Sequence, residues 1–145
     1  MNKNTIRTQN ISETKKIGKD IAKNLHGGEV IALHGELGSG KTAFVQGVAE
    51  AFQIQNASSP TFLIIHEYKV LNNLDIKRIY HIDLYRIDAQ DNSIVYQLKE
   101  ILEDKKAVVF IEWPEKIDQG ILPHAKYIYF SFIDENTREI TLEKI

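Results

Sequence analysis

The chain has 145 residues, 43% of them hydrophobic and 26% charged, with a formal net charge of −2. That balance suits a single domain over 1–145 with a buried core, and it excludes both a broad basic field for autonomous nucleic-acid binding and an apolar run long enough to span a bilayer. The lack of cysteine excludes disulfides, thiolate metal sites and cysteine nucleophiles; together with a polar N-terminus that has no apolar segment behind it, it predicts a cytoplasmic protein.

In chain order, residues 4–10 read as an edge strand. Ser12 stands where a helix N-cap is needed, and the helix behind it turns Ile17, Ile21, Ala22 and Leu25 inward until His26-Gly27-Gly28 stops it. Glu29–His34 is a short apolar run, predicted as a buried parallel strand. It leads into Gly35-Glu36-Leu37-Gly38-Ser39-Gly40-Lys41-Thr42, which fits the phosphate-binding pattern G-x-x-x-x-G-K-[ST]. Beyond it Phe44, Val45, Val48, Ala49 and Phe52 form one apolar stripe of a helix. Asn56–Thr61 is a polar turn in which Pro60 forbids the helix to continue. Phe62–Val70 and Arg78–Tyr85 are rich in strand formers and flank Asn72-Asn73, so they are expected to pair antiparallel. Residues 92–102 form a short helix, capped by Asn92 or Ser93, with Ile94, Leu98, Ile101 and Leu102 inward; Ala107–Ile111 is a further buried strand. Tyr127–Ile133 and Glu139–Leu142 close the chain as a hairpin around Asp134-Glu135-Asn136-Thr137.

The loop carries the clearest chemistry. Glycines at Gly35, Gly38 and Gly40 let backbone N–H groups converge on phosphate oxygens, and the helix that opens there points its unpaired N–H groups at the same anion. Lys41 is placed to reach the β- and γ-phosphates and Thr42 to offer its hydroxyl to Mg²⁺. Hydrolysis also needs carboxylates at neighbouring strand ends, where open α/β sheets hold ligands. Asp83 and Glu112 each close an apolar run and are the candidates. Trp113, the only tryptophan, either packs or, beside Glu112, shields the site or stacks on a ligand or partner. His34 and His81 read as satisfied interior histidines, and no grouping has zinc spacing. Ser58-Ser59-Pro60-Thr61 is either a turn or a γ-phosphate-sensing segment. No guanine-reading element is present, which favours ATP over GTP. Two rivals are a P-loop small-molecule kinase and a nucleotide-dependent binding switch without significant catalysis; against the kinase, Arg7, Arg78, Arg86 and Arg138 are too few and scattered for an arginine-rich lid.

Four stretches therefore stand in order: Gly35–Thr42, Ser59-Pro60-Thr61-Phe62, His81-Ile82-Asp83-Leu84-Tyr85-Arg86 and Ile111-Glu112-Trp113-Pro114-Glu115. With Gly120-Ile121-Leu122-Pro123 and the late Arg138, they resemble the TsaE (YjeE) family over nearly the whole chain. Glu36 and Ser39 stand where that family often has Asp and Ala, and neither side chain is needed for the cradle. The resemblance implies an α/β fold of the P-loop NTPase type, three-layered, with a mainly parallel central sheet and flanking antiparallel strands. It implies ATP bound by Glu36, Leu37, Gly38, Ser39, Gly40, Lys41, Thr42, Ala43 and Arg138, with Asn10–Ser12 approaching the nucleotide. It also implies Mg²⁺ on Thr42, Asp83 and Glu112, and catalytic roles for Lys41, Asp83 and Glu112. Family members hydrolyse ATP slowly alone and act with the TsaB–TsaD heterodimer, which transfers threonylcarbamoyl to N6 of a tRNA adenosine. The resemblance thus implies an ATPase that permits repeated turnover of that complex and meets tRNA only through it.

Overall fold

The computed structural model describes residues 3–54, 65–87 and 92–143. The elements are β1 (Lys3–Thr8), α1 (Ile11–Ala22), β2 (Val30–His34), α2 (Lys41–Ala51), β3 (Ile65–Lys69), β4 (Arg78–Asp83), α3 (Asn92–Leu102), β5 (Ala107–Glu112), β6 (Lys126–Phe132) and β7 (Arg138–Glu143). The predicted turn Asn56–Thr61, the Ser59–Phe62 motif and the start of the Phe62–Val70 run lie outside the described residues.

The strands form one seven-stranded sheet in the order β1-β7-β6-β2-β5-β4-β3. Its centre, β6-β2-β5-β4, is parallel throughout. The β1–β7, β6–β7 and β3–β4 pairs are antiparallel. This is the expected mainly parallel centre with antiparallel flanks. β5 is buried at all six positions, as a central parallel strand covered on both faces must be.

Side chains alternate along a strand, so Ile79, His81 and Asp83 of β4 share a face with Val108, Phe110 and Glu112 of β5. The apolar members of that face pack with Phe44 and Val48 of α2 and Ile21 of α1. Phe44 meets Phe110 and Phe130 edge-on at 6.3 and 5.5 Å between ring centroids. On the opposite face Ile82, Val109 and Ile111 meet Leu98 of α3. Two apolar clusters on two faces give the three layers.

The two helices on the first face touch through glycine. A Cβ on Gly18 would lie 2.2 Å from the carbonyl oxygen of Phe44, and one on Gly47 would lie 2.0 Å from that of Lys15. The backbones approach too closely to admit a methyl group on either side.

Two details of α1 differ from expectation. Its N-cap is Asn10, not Ser12: the Asn10 carboxamide oxygen accepts from the Glu13 N–H at 2.9 Å. Glu13 in turn accepts from the Gln9 N–H at 2.6 Å, and the Thr8 and Thr14 hydroxyls bond at 2.8 Å under the turn. Those contacts start the helix before Ser12, which lies exposed in the first turn. The helix also ends at Ala22, ahead of His26-Gly27-Gly28, because Asn24 and Leu25 bond back three residues, to Ile21 and Ala22. Leu25 is still buried, beyond the helix end. Among the described residues no helix is long and apolar enough to cross a membrane.

Candidate functional site

β2 delivers the chain to the Gly35–Thr42 loop at the carboxyl end of the parallel strands. Gly38 and Gly40 have φ of 76° and 108°, left-handed values that side-chain-bearing residues seldom adopt. An added Cβ on Gly38 would meet nothing within 4 Å, so the backbone angle, not crowding, requires glycine there. Gly40 caps α2 with no side-chain bond, so the first-turn N–H groups of that helix are left for an anion at the loop.

Lys41 is buried, 4% exposed. Its ammonium donates to the Gly35 carbonyl and lies 4.2 Å from the centroid of the Trp113 ring. Burial pushes its pKa below the usual lysine value, against the opposing charges of Glu112, Asp83 and Glu115.

The two strand-end carboxylates are register partners across β4 and β5. Asp83 Oδ1 accepts from the Tyr85 N–H at 2.9 Å. Burial raises the Asp83 pKa above the ordinary aspartate value and the charge of Glu112 adds to it, while the Tyr85 N–H, His81 and Lys41 pull the other way. Glu112 is 3% exposed, and its Oε2 lies 2.5 Å from Nε2 of His81, itself 1% exposed. His81 is therefore the interior, partnered histidine expected. His34 is not interior: as the last residue of β2 it projects past the covered sheet, exposed, 3.0 Å from Glu115. Trp113 adopts φ 58° and ψ 51°, left-handed for a bulky residue, at the reversal from β5 into the 3-10 turn Pro114–Lys116. Its ring packs at 4.9 Å on Tyr85, so it both packs and covers the lysine.

These groups border one cleft of about 710 Å³. Leu37, Gly38, Gly40, Lys41, Thr42 and Ala43 supply the floor, Asp83, Glu112 and Trp113 one end, and Asn10, Ile11 and Ser12 a side wall. Glu135, Asn136 and Arg138 of the β6–β7 hairpin complete the rim. Two residues expected to bind nucleotide do not line it. Glu36 is exposed elsewhere on the loop, and Ser39 is buried with its hydroxyl unpartnered among the described residues. Arg138 lines the cleft but is tied down: Nε donates to the Gly38 carbonyl at 2.8 Å, and one terminal nitrogen donates to those of Asp134 (2.5 Å) and Thr137 (3.1 Å). Sequence reasoning missed the hairpin-tip residues Glu135 and Asn136. Their turn was legible, but its folding back to the loop rests on contacts distant in sequence, among them the Arg138–Gly38 bond.

Thr42, Asp83 and Glu112 bring only oxygen donors to the cleft, the set that suits a hard cation. Among the described residues no three His, Cys, Asp or Glu side chains could hold an ion by themselves. Mg²⁺ commonly takes one or two carboxylates and completes its shell with phosphate oxygens and water, so this donor set fits it together with a polyphosphate.

The profile of a protein family described as threonylcarbamoyl adenosine biosynthesis protein TsaE matches residues 8–140. The chain belongs to the TsaE family. A TsaE of Bacillus subtilis, named tRNA threonylcarbamoyladenosine biosynthesis protein, is 36% identical over 140 residues, covering 96% of this chain and 84% of that one. The TsaE of Aquifex aeolicus is 35% identical over 133 residues, covering 90% and 88%. The crystal structure of Bacillus subtilis YdiB superimposes with a TM-score of 0.68 at 31% identity, covering 97% of this chain and 84% of that one. The match to the TsaE profile spans the loop, both carboxylates, Trp113 and Arg138.

Proposed function

We propose that this chain is the ATP-binding and ATP-hydrolysing component of the bacterial system that makes tRNA N6-threonylcarbamoyladenosine. In this reading it works in the cytoplasm with the TsaB–TsaD heterodimer, permits that complex to turn over repeatedly, and meets tRNA only through it. The family to which the chain belongs and the names of its relatives support the pathway. The observation that carries the nucleotide reading is the convergence of Lys41, Asp83 and Glu112 on one cleft above an uncapped helix start.

In this proposal the N–H groups of Gly38 and of residues 40–43 hold the phosphates, and Lys41 exchanges the Gly35 carbonyl for phosphate oxygen. Asn10–Ser12 faces the base and sugar. Thr42, Asp83 and Glu112 hold Mg²⁺, which when bound withdraws charge from the phosphate being released. Glu112 and Asp83 also present oxygens that orient a water at the phosphate end. Arg138, the one arginine lining the cleft among the described residues, is held by three carbonyls. No arginine is left there to stabilise the leaving charge, which supports weak hydrolysis by the chain alone and stimulation by a partner.

Calorimetry with ATP and Mg²⁺, followed by hydrolysis assays with and without TsaB–TsaD, tests this. Micromolar or tighter binding, slow turnover alone and a faster rate in the complex are the expected results. A chain that binds ATP but neither associates with TsaB–TsaD nor hydrolyses faster in its presence would remove the partner half of the proposal.

A further inference from the structure

Glu112 is an acid at the end of a strand buried at every position, and a carboxylate in such a place needs a hydrogen-bonding partner. The partner is His81. In the parallel β4–β5 register His81 stands opposite Phe110, two residues before the Asp83–Glu112 pair on the same face. Its ring reaches diagonally forward, placing Nε2 2.5 Å from Glu112 Oε2. On its other side His81 stands opposite His66 of β3, whose Nδ1 lies 3.2 Å from the Tyr68 hydroxyl. His81 is thus enclosed between two strands, with Glu112 ahead of it. With Glu112 ionised its carboxylate only accepts, and the hydrogen of the pair then lies on Nε2. With Oε2 held by His81, the other oxygen of Glu112 is outside that bond, and Glu112 lines the cleft together with Thr42 and Asp83.

We infer that His81 is a positioning residue for Glu112: it fixes the carboxylate so that its other oxygen faces a phosphate-bound divalent cation. This rests on the nucleotide reading above. A glutamate at a strand end has three rotatable bonds, and a ligand oxygen that wanders costs metal affinity. Hydrogen-bond partners behind metal ligands are commonly worth about 10–100-fold in affinity.

The test uses the full chain loaded with a non-hydrolysable ATP analogue and titrated with Mn²⁺, free Mn²⁺ being read by electron paramagnetic resonance. His81→Leu is expected to weaken Mn²⁺ binding by about 10–100-fold while leaving analogue affinity in the absence of metal unchanged. His81→Gln, whose amide N–H can stand in for Nε2–H, recovers most of the loss. In a Glu112→Gln background His81→Leu adds nothing further. A metal-free readout covers the case in which His81→Leu does not fold: in nucleotide-free wild type the His81 Nε2–H proton appears downfield in the NMR spectrum, and Glu112→Gln shifts it upfield. A folded His81→Leu protein with wild-type Mn²⁺ affinity, equal losses in both backgrounds, or an imidazole proton indifferent to Glu112→Gln overturns the inference alone. A wild-type chain that binds no nucleotide overturns the nucleotide reading and this inference together.

Discussion

Lys41 and Arg138 line the same cleft and are held in opposite ways. Lys41 is buried with one carbonyl and the face of an indole as neighbours, and burial has pushed its pKa down. Arg138 makes three hydrogen bonds to backbone carbonyls and lies 4.5 Å over the Phe132 ring. An ammonium kept this way gains from any anion that enters; a guanidinium kept that way has to give up bonds first. The presence of a cation beside a phosphate-binding loop is therefore a different matter from its availability. In the proposed function Lys41 is the group that would meet phosphate, whereas Arg138 is a staple between the loop and the hairpin.

The largest expected effect breaks the first half of that contrast. Lys41→Ala removes charge-assisted bonds to phosphate, each worth about 1.5–3 kcal/mol, so ATP affinity should fall by roughly one to two orders of magnitude or more. The nucleotide-free fold should be kept, since the lost group was a poorly solvated charge. Calorimetry alongside thermal melting checks both, and unchanged ATP affinity would contradict the assignment of Lys41.

Next in size is the staple. Arg138→Ala should lower the melting temperature and cost roughly tenfold in ATP affinity, from the loss of bonds worth about 0.5–1.5 kcal/mol each. Arg138→Lys keeps the charge but loses the planar fork, so it should recover little. Full recovery by lysine would mean that Arg138 acts on phosphate directly, and the contrast would collapse.

The smallest effect sharpens the view from the acidic side of Lys41. The folded state raises the Asp83 pKa above its unfolded value, so the fold favours the protonated form. Between the unfolded and folded pKa values the native state binds more protons, and stability falls as pH rises through that window. At neutral pH an ionised Asp83 is thus a cost to the nucleotide-free protein. Asp83→Asn, which can still accept from the Tyr85 N–H, should raise the melting temperature by a few degrees at pH 7, and the gain should vanish as the pH drops below the ordinary aspartate range. Melting curves over that range decide it. An equal gain at all pH values would show that ionisation is not the cause.

What the chain reveals by itself depends on the reach of each signal. The loop is legible because its glycines, lysine and threonine are contiguous and sit between a strand period and a helix period. Asp83 and Glu112 are legible because each ends a run of apolar residues whose length can be counted. The bond between His81 and Glu112 is not, because it depends on the register of two strands separated by a helix. Asn10 and Ser12 are both good caps, and the choice between them was made by Glu13 reaching back to Gln9 and by the Thr8–Thr14 contact beneath. The resemblance singled out Arg138, and the structure puts it on the cleft, but its three carbonyl partners belong to two separate turns that meet only in the folded hairpin. His34 has a strand-like setting in sequence, yet it ends β2 on the face opposite α2, exposed beside Glu115.

The glycine contact between α1 and α2 bears on how the cleft can open and close. Since neither Gly18 nor Gly47 leaves room for a methyl group, the two helices have no slack in which to slide. The first turn of α1 lines the side of the cleft and the first turn of α2 lines its floor, so these two surfaces form a single jaw of set width. The hairpin belongs to the same body, since Arg138 pairs with Thr8 at the entry to α1 and donates to the Gly38 carbonyl of the loop. Anyone wishing to widen the cleft for a bulkier ligand should keep both glycines and trim the side chains that line it.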